Sequence, residues 1–219
     1  MKTKTLIFIL LIIFATSCNQ TKEHIITGTF SDPQTEEWIY LQKMFSEEII
    51  IDSARITDGK FTFKGEASGI PEAYALSYHP SKATGVLYPI FVESGKTDIL
   101  IDSKDWEMKS VVTGGKVNNE FREHQKQRIE NFITEIGDLN NRLKNENITD
   151  EERSNTNSRI KELWRKAEEF DVKYIKQHPD SPVSAYLLAR IFYNLSLQET
   201  DQFLNVFSDS VKQTDAYRW

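Results

Sequence analysis

The sequence predicts an α+β protein with its strands first: an N-terminal antiparallel β-sandwich of about eight strands, followed by an α-helical segment with a long helical hairpin. Short β-branched and aromatic runs alternate with turn signals up to about residue 115, with no helical pattern between them. The period changes at Gly114 and Gly115, after which apolar residues recur at spacings of three and four. Hydrophobic residues form 39% of the 219-residue chain, which is enough for a packed core.

The first residues have the order of a secretory signal. Lys2 and Lys4 precede an uncharged apolar run over residues 6–14, and small residues then lead to Cys18, the single cysteine of the chain. The apolar run is shorter than the roughly 20 residues that span a bilayer. This junction resembles the lipobox of bacterial lipoproteins, in which the cysteine is acylated and the signal removed, although Ala15 stands where Leu is usual.

These features predict a lipoprotein signal peptide over residues 1–17, palmitate-type lipidation of Cys18 and a tether over residues 18–23. Asn19, in place of the Asp typical of inner-membrane retention, favours the outer membrane with the protein facing the periplasm. The alternative is a soluble secreted protein with a lone thiol.

Eight runs between residues 24 and 113 have the composition of strands. They are residues 24–30, 38–41, 49–56, 61–65, 74–78, 87–92, 98–102 and 109–113. The Asp58 and Gly59 pair between two runs is a strong β-hairpin signal. Pro89 indicates an edge or bulged strand, because proline cannot donate to a ladder. We place the sandwich domain at residues 24–116.

The α-helical segment, residues 117–210, is predicted to begin with two long amphipathic helices. Their apolar stripes are Ile129, Phe132, Ile136, Leu139 and Leu143, and then Ile160, Leu163, Ala167, Phe170 and Tyr174. A capping box from Thr149 to Glu152 marks the start of the second helix. The short polar connection predicts an antiparallel helical hairpin, and the same stripes would also serve self-association.

Two shorter helices are expected after the hairpin. Ser181 is placed as the N-cap of the first, with Pro182 at its first position. A second capping box, from Ser196 to Glu199, opens the last helix. Residues 211–219 are predicted to be a frayed C-terminus.

The charge of the chain disfavours nucleic-acid binding. The 27 basic and 33 acidic residues give a net charge of −6, and removal of a signal containing Lys2 and Lys4 makes it −8. Such a surface repels phosphates, and no basic stripe overrides it.

Four segments of the strand region resemble a known family. They are residues 51–56 (IDSARI), 58–65 (DGKFTFKG), 91–95 (FVESG) and 112–118 (VTGGKVN). They look like the N-terminal domain of unknown function that precedes a thioredoxin-like domain in many Gram-negative envelope lipoproteins. The resemblance covers about residues 24–125, and the helical segment is similar to the connector in those proteins.

In that family the redox chemistry belongs to a CxxC pair in the thioredoxin-like domain. This chain has no cysteine besides Cys18 and ends at Trp219, where that domain would begin. We therefore expect either a natural short form or a truncation, without thiol–disulfide exchange of its own. A disulfide framework and a cysteine-based zinc site are likewise not expected.

No catalytic or metal-binding group stands out in the sequence. His24, His79, His124 and His178 lack the spacing of a compact motif such as HExxH, and are predicted to be independent surface or turn residues. No serine lies in a GxSxG elbow, and the paired carboxylates fit solvated turns and helix starts. We expect no enzymatic activity, no cofactor and no metal.

The strand region is rich in aromatic residues, which form the one candidate binding group. They are Trp38, Tyr40, Tyr74, Tyr78 and Tyr88. They would form either an amphipathic face for a peptide or glycan, or ordinary packing of the core and sheet.

The sequence thus predicts a lipid-anchored cell-envelope protein with a non-catalytic β-sandwich that binds or scaffolds an envelope partner. One alternative is an accessory or truncated relative of a thioredoxin-like thiol–disulfide oxidoreductase. Another is a glycan- or solute-binding module. The oligomeric state is left open.

Overall fold

The computed structural model describes residues 23–32, 36–46, 51–80 and 86–219. The predicted signal peptide and Cys18 lie outside these residues. The predicted order of strands followed by helices is confirmed. The strands are β1 (Glu23–Phe30), β2 (Trp38–Lys43), β3 (Ile51–Arg55), β4 (Lys60–Glu66), β5 (Glu72–Ser77), β6 (Val86–Val92), β7 (Gly95–Ile101) and β8 (Val111–Thr113).

The strands form two four-stranded sheets. The first sheet has the order β4-β1-β7-β8 and the second β3-β2-β5-β6. Phe63 and Ile26 from the first sheet and Leu76 and Ile90 from the second belong to one buried cluster between the sheets. Alternation of buried and exposed residues along β4 and β7 produces this cluster, because successive side chains of a strand point to opposite faces.

One strand pair departs from the antiparallel sandwich that the sequence predicts. β1 pairs with β7 in parallel, with His24 opposite Gly95 and Phe30 opposite Ile101. All the other pairs among the described strands are antiparallel. A parallel neighbour needs a long connection, and the five intervening strands supply it.

The Asp58 and Gly59 turn forms, but not within the predicted hairpin. Both residues have positive φ (50° and 68°), as the two central positions of a type I′ turn require. Thr57 and Lys60 make an isolated bridge around the turn. Beyond that bridge the chain passes from β3 in the second sheet to β4 in the first. The turn therefore connects the two sheets.

One short helix lies between β7 and β8, where the sequence predicted no helical pattern, and the other helices follow β8. In chain order the helices are α1 (Trp106–Lys109), α2 (Lys116–Arg128), α3 (Thr134–Leu143), α4 (Asp150–Gln177), α5 (Pro182–Ile191), α6 (Leu197–Val206) and α7 (Asp215–Arg218). The predicted hairpin forms, with α2 and α3 as one arm and α4 as the other. The capping boxes at Thr149 and Ser196 and the N-cap at Ser181 are confirmed.

The first arm of the hairpin contains a π-helical stretch, Ile129–Ile133, that the sequence pattern did not indicate. The Thr134 hydroxyl donates to the Ile129 carbonyl at 3.1 Å. The apolar stripes are also less buried than expected. Ile136, Leu163 and Ala167 are buried, whereas Phe132 is only partly covered.

The C-terminal residues are packed, so the prediction of a frayed end over residues 211–219 is wrong. Val211 is fully buried, and Ala216 of α7 belongs to the same apolar cluster. Asp215 forms an ion pair with Lys43 of β2 at 2.5 Å, and its backbone N–H donates to the Glu72 carboxylate of β5. Polar sequence suggested fraying, but these long-range contacts secure the end of the chain.

Three of the helices, α2, α5 and α7, pack on the outer face of the second sheet. Ala73 and Phe91, which are opposite each other on β5 and β6, share a buried cluster with Phe121 of α2 and Leu187 of α5. Among the described residues, no helix is long and apolar enough to cross a bilayer.

Candidate functional site

The predicted aromatic group is not a single surface in the structure. Trp38 and Tyr40 alternate with buried residues of β2 and therefore lie on the outer face of the second sheet. Tyr74, Tyr78 and Tyr88 pack on the cluster between the sheets. Trp38 is 45% exposed, whereas Tyr88 is 9% exposed. The sheet thus separates the five rings into two groups.

Two of the four histidines are buried, contrary to the prediction that all occupy surface or turn positions. His24 lies in β1, where its Nδ1 is 3.3 Å from the Glu66 carbonyl. His124 lies on α2 and is 3% exposed. Both point inward because their neighbours in the chain place them on the inner face of an element.

His124 belongs to a buried cluster of charged residues around Asp171 of α4. One oxygen of the fully buried Asp171 carboxylate lies 3.1 Å from His124 Nε2, close in distance but away from the hydrogen-bond direction. The other oxygen accepts from Arg128 Nε at 3.3 Å and from Arg190 Nη2 at 2.6 Å. The cluster therefore joins α2, α4 and α5 through one carboxylate.

The partners of Asp171 decide its charge state. Burial alone would raise the pKa of this carboxyl group, but His124, Arg190 and Arg128 outweigh burial and hold the pKa below its ordinary value. Asp171 is thus ionised at neutral pH. A buried carboxylate with several cationic neighbours is stable only while those neighbours remain in place.

Aromatic rings form a continuous row beside this cluster. Phe170, Tyr174 and His178 follow each other at intervals of four residues at the end of α4 and just beyond it. The His124 ring stacks on Phe170 with centroids 5.0 Å apart and meets Tyr174 edge-on at 4.7 Å. His178 stacks on Tyr174 at 4.3 Å.

The row of rings lines a cavity of about 670 Å³ between α2, α4 and the start of α5, called here the interhelical cavity. Its charged lining residues are Lys116, Glu120, Glu123, Lys173 and Asp180. The Tyr174 hydroxyl donates to the Glu120 carboxylate. Burial and this hydrogen bond raise the pKa of Tyr174, so the phenol remains protonated at physiological pH.

Neither ring nitrogen of His124 has a hydrogen-bond partner. Both are buried, as is the Asp171 oxygen that lies 3.1 Å from Nε2. The His124 side chain has no exposed surface, so neighbouring atoms cover both nitrogens. A buried polar group without a partner is unfavourable by about 1–3 kcal/mol.

The side of the cavity formed by α2 is fixed to the sandwich. The Glu93 carboxylate accepts hydrogen bonds from the first backbone N–H groups of α2, at Lys116 (2.9 Å), Val117 (3.0 Å) and Asn118 (3.1 Å). The Asn118 side chain accepts from the N–H of Phe91 and donates to its carbonyl. The carboxylate also complements the helix dipole.

Sequence reasoning missed this site because its parts are distant in the chain. Phe170 and Tyr174 were assigned to an apolar stripe, and His124 was assigned to the surface. The spacing of Phe170, Tyr174 and His178 is the one local signal that could have indicated a row of rings. Over the ranges the structure describes, no three His, Cys, Asp or Glu side chains are grouped to hold a metal ion.

Comparison with known proteins gives one result, for the β-sandwich. Neither the curated proteins nor the solved structures contain a significant match to this chain. Residues 24–121, which include all the strands from β2 to β8, nearly all of β1 and the first part of α2, match the family model described as Domain of unknown function (DUF4369).

Proposed function

We propose that this chain is a non-catalytic binding protein, attached to the cell envelope through a lipid on Cys18, in which the sandwich supports a binding site in the helical segment. The observation that carries the proposal is the interhelical cavity, whose lining combines the rings of Phe170 and Tyr174 with the carboxylate of Glu120. Cavities of about 300–1,000 Å³ with a few convergent polar groups are typical of small-molecule sites.

The fixed geometry of the cavity supports a binding role. The Glu93 and Asn118 hydrogen bonds hold α2 on the sandwich, and the Asp171 cluster holds α4 and α5 against α2. A site whose sides are already in place loses less conformational freedom when a ligand binds.

The position of β1 is compatible with attachment at Cys18. His24 pairs with Gly65 and Gly95 at one end of the first sheet, and Gly114, which precedes α2, approaches the carbonyl of Lys96 at the same end. The five residue steps from Cys18 to Glu23 span at most about 18 Å. A lipid on Cys18 would therefore keep this end of the sandwich close to the membrane.

We also propose kinship with the envelope lipoproteins that combine this domain with a thioredoxin-like domain. Support comes from the motifs at residues 51–65, 91–95 and 112–118 together with the family match over residues 24–121. An oxidoreductase of that kind is the envelope partner that this kinship suggests.

A thermal-shift screen of the lipidated full chain in detergent micelles tests the binding proposal. The panel holds organic cations, organic anions, sugars and amino acids. A ligand present at about 100 times its Kd stabilises the protein by about 2.7 kcal/mol, which corresponds to an increase in Tm of about 5–10 °C for a chain of this size.

Gln177→Trp is designed to fill the cavity, since Gln177 is an exposed lining residue. Gln198→Trp, at an exposed position of α6 outside the cavity, is the matched control. We expect at least one ligand to shift the wild type and the control but not the Gln177→Trp variant. If no compound class does so, the binding proposal is wrong.

Palmitate labelling and membrane fractionation of Cys18→Ala test the anchor. We expect the variant to lose the label and to leave the membrane fraction, and unchanged labelling would refute lipidation at this position.

A further inference from the structure

We propose that the free edge of β4 pairs with β4 of a second copy of this chain, so that the first sheets of two molecules join across a two-fold axis at Phe63. This interaction surface is independent of the proposed binding function. A strand at the edge of a sheet has backbone N–H and C=O groups that are available to another chain. The edge strands are β4 and β8 in the first sheet and β3 and β6 in the second.

The edges other than β4 are covered or already use their backbone groups. Val112 of β8 is only 3% exposed, because α2 packs against that strand. In β6, the carboxamide of Asn118 accepts from the N–H of Phe91 and donates to its carbonyl. In β3, the Ser53 N–H donates to the carboxylate of the neighbouring Asp52 at 2.8 Å. Among the described strands, β4 is therefore the edge that stays open.

The hydrogen bonds at the start of β4 show which of its backbone groups are free. The Gly59 carbonyl accepts from β1 at 2.8 Å, whereas the N–H and the carbonyl of Lys60 bond with Thr57, at 3.0 Å and 2.9 Å, on the other side. Successive residues of an antiparallel strand alternate between these two directions. The backbone groups of Thr62 and Lys64 therefore face away from β1.

The free part of this edge is short and symmetric about Phe63. Thr62 and Lys64 lie on either side of that residue and are exposed, and among the described strands only β1 pairs with β4. An antiparallel second copy centred at Phe63 places Thr62 of each molecule opposite Lys64 of the other. Each of these residues then gives one N–H and one carbonyl to the pairing, so four N–H···O=C bonds join the two sheets.

The charges along β4 favour the same register. The side chains of Lys60, Lys64 and Glu66 are exposed on one face of the strand. Pairing centred at Phe63 puts Lys60 of each molecule opposite Glu66 of the other. A slip of two residues would instead put Lys60 opposite Lys64 or Lys64 opposite Lys64. Opposite charges directly across an antiparallel pair stabilise it and like charges destabilise it, so the sequence of β4 is complementary to itself in one register.

Carbodiimide cross-linking of the lipidated full chain, with detergent micelles in excess over protein, tests this register. The reagent joins a lysine to a carboxylate that it contacts. Lys60 and Glu66 are about 20 Å apart along one strand, so a bond between them must link two molecules. In a mixture of unlabelled and ¹⁵N-labelled protein, we expect Lys60–Glu66 linked peptides with one light and one heavy member. Their absence while other surface lysines are modified would overturn the proposed register.

Sedimentation equilibrium in density-matched micelles measures the strength of the dimer. Thr62→Pro removes an N–H that faces away from β1, a position where an edge strand tolerates proline. Two of the four bonds disappear, and we expect the dissociation constant of the dimer to rise at least about tenfold. Thr62→Val, which keeps the N–H and the branched shape, is the matched control and should change it less than about twofold.

A charge exchange tests the ion pairs separately. Glu66→Lys puts like charges opposite each other at both ends of the pairing and should weaken the dimer about fivefold, whereas Glu66→Lys combined with Lys60→Glu should return to within about twofold of wild type. Glu146→Lys, at an exposed position in the hairpin loop, is the control and should have less than a twofold effect.

A monomeric wild type, or a Thr62→Pro variant that folds and dimerises like wild type, would overturn the inference. A monomer would leave an unrelated extended peptide as the occupant of the edge. If Thr62→Pro does not fold, the charge exchange decides, and failure of the double variant to recover would refute the pairing. None of these results bears on the binding function, because no substituted residue lines the interhelical cavity.

Discussion

Replacement of Asp171 by Asn is the sharpest test of the buried charge cluster. The substitution keeps the shape of the side chain but removes the negative charge between His124, Arg128 and Arg190. Arg128 is only 7% exposed, so its guanidinium group would remain buried without a counter-charge. Loss of one partner from a buried ion pair typically destabilises a protein by about 3–5 kcal/mol.

We expect the lower end of that range, because Arg190 retains partial access to water, with a side-chain exposure of 29%. A loss of about 3 kcal/mol is a large fraction of a typical unfolding free energy of about 5–15 kcal/mol. At an m-value of about 3 kcal/mol/M it would lower the urea midpoint by about 1 M.

Urea unfolding followed by circular dichroism measures this change. Glu169→Gln, which removes the exposed ion pair with Arg165, is the control and should alter the unfolding free energy by less than about 0.5 kcal/mol. The double variant Asp171→Asn with Arg128→Met should be less destabilised than the sum of the single variants. Each single variant leaves one charged member of the Asp171–Arg128 pair without the other, whereas the double variant removes both charges. A midpoint within 0.3 M of wild type for Asp171→Asn, or additive effects in the double variant, would refute this account of the cluster.

Three further predictions concern the sandwich, its junction with the helices, and pH. Gly28→Ala should destabilise the protein by about 1–3 kcal/mol in urea unfolding, because the added Cβ would lie 1.9 Å from Cζ of Phe61. Gly69→Ala is the control and should be neutral, since no atom lies within 4 Å of its added Cβ. Equal midpoints for the two glycine variants would contradict the packing described. Glu93→Ala should lower the unfolding free energy by about 1–2 kcal/mol and speed amide exchange in the first turn of α2, since its N–H groups lose their acceptor; unchanged exchange there would rule out this capping role. The lowered pKa of Asp171 contributes stability that is fully present above the unfolded-state pKa near 4 and disappears as pH falls through the folded-state pKa. The Asp171→Asn variant should therefore lose less stability than wild type between pH 5 and acid unfolding. Parallel pH profiles of the two proteins would contradict this role of Asp171.

Local sequence signals predicted the parts of the fold that depend on neighbouring residues. The capping boxes at Thr149 and Ser196 and the N-cap at Ser181 form because a side chain and a backbone N–H two or three residues away are sufficient for each. The turn at Asp58 and Gly59 forms for the same reason, since it requires only two residues that tolerate positive φ.

The features that the sequence did not indicate depend on partners far apart in the chain. Asp171 meets His124, 47 positions earlier, and neither residue carries a local sign of burial. Whether the chain after Gly59 continues in the same sheet or enters the other depends on which strands compete for pairing. The candidate site was likewise not indicated, because its polar groups come from α2, α4 and the connection between α4 and α5.

The hairpin gives the molecule a defined reach. The 28 residues of α4 extend about 42 Å, from Gln177 near the sandwich to Asp150 at the tip of the hairpin. Since β1 begins at the end of the sandwich where α2 also starts, the tip lies roughly 40 Å along the hairpin from that end. Seven residues added to each arm would lengthen this reach by about 10 Å and leave the interhelical cavity intact. The length of the hairpin is thus independent of the cavity at its base.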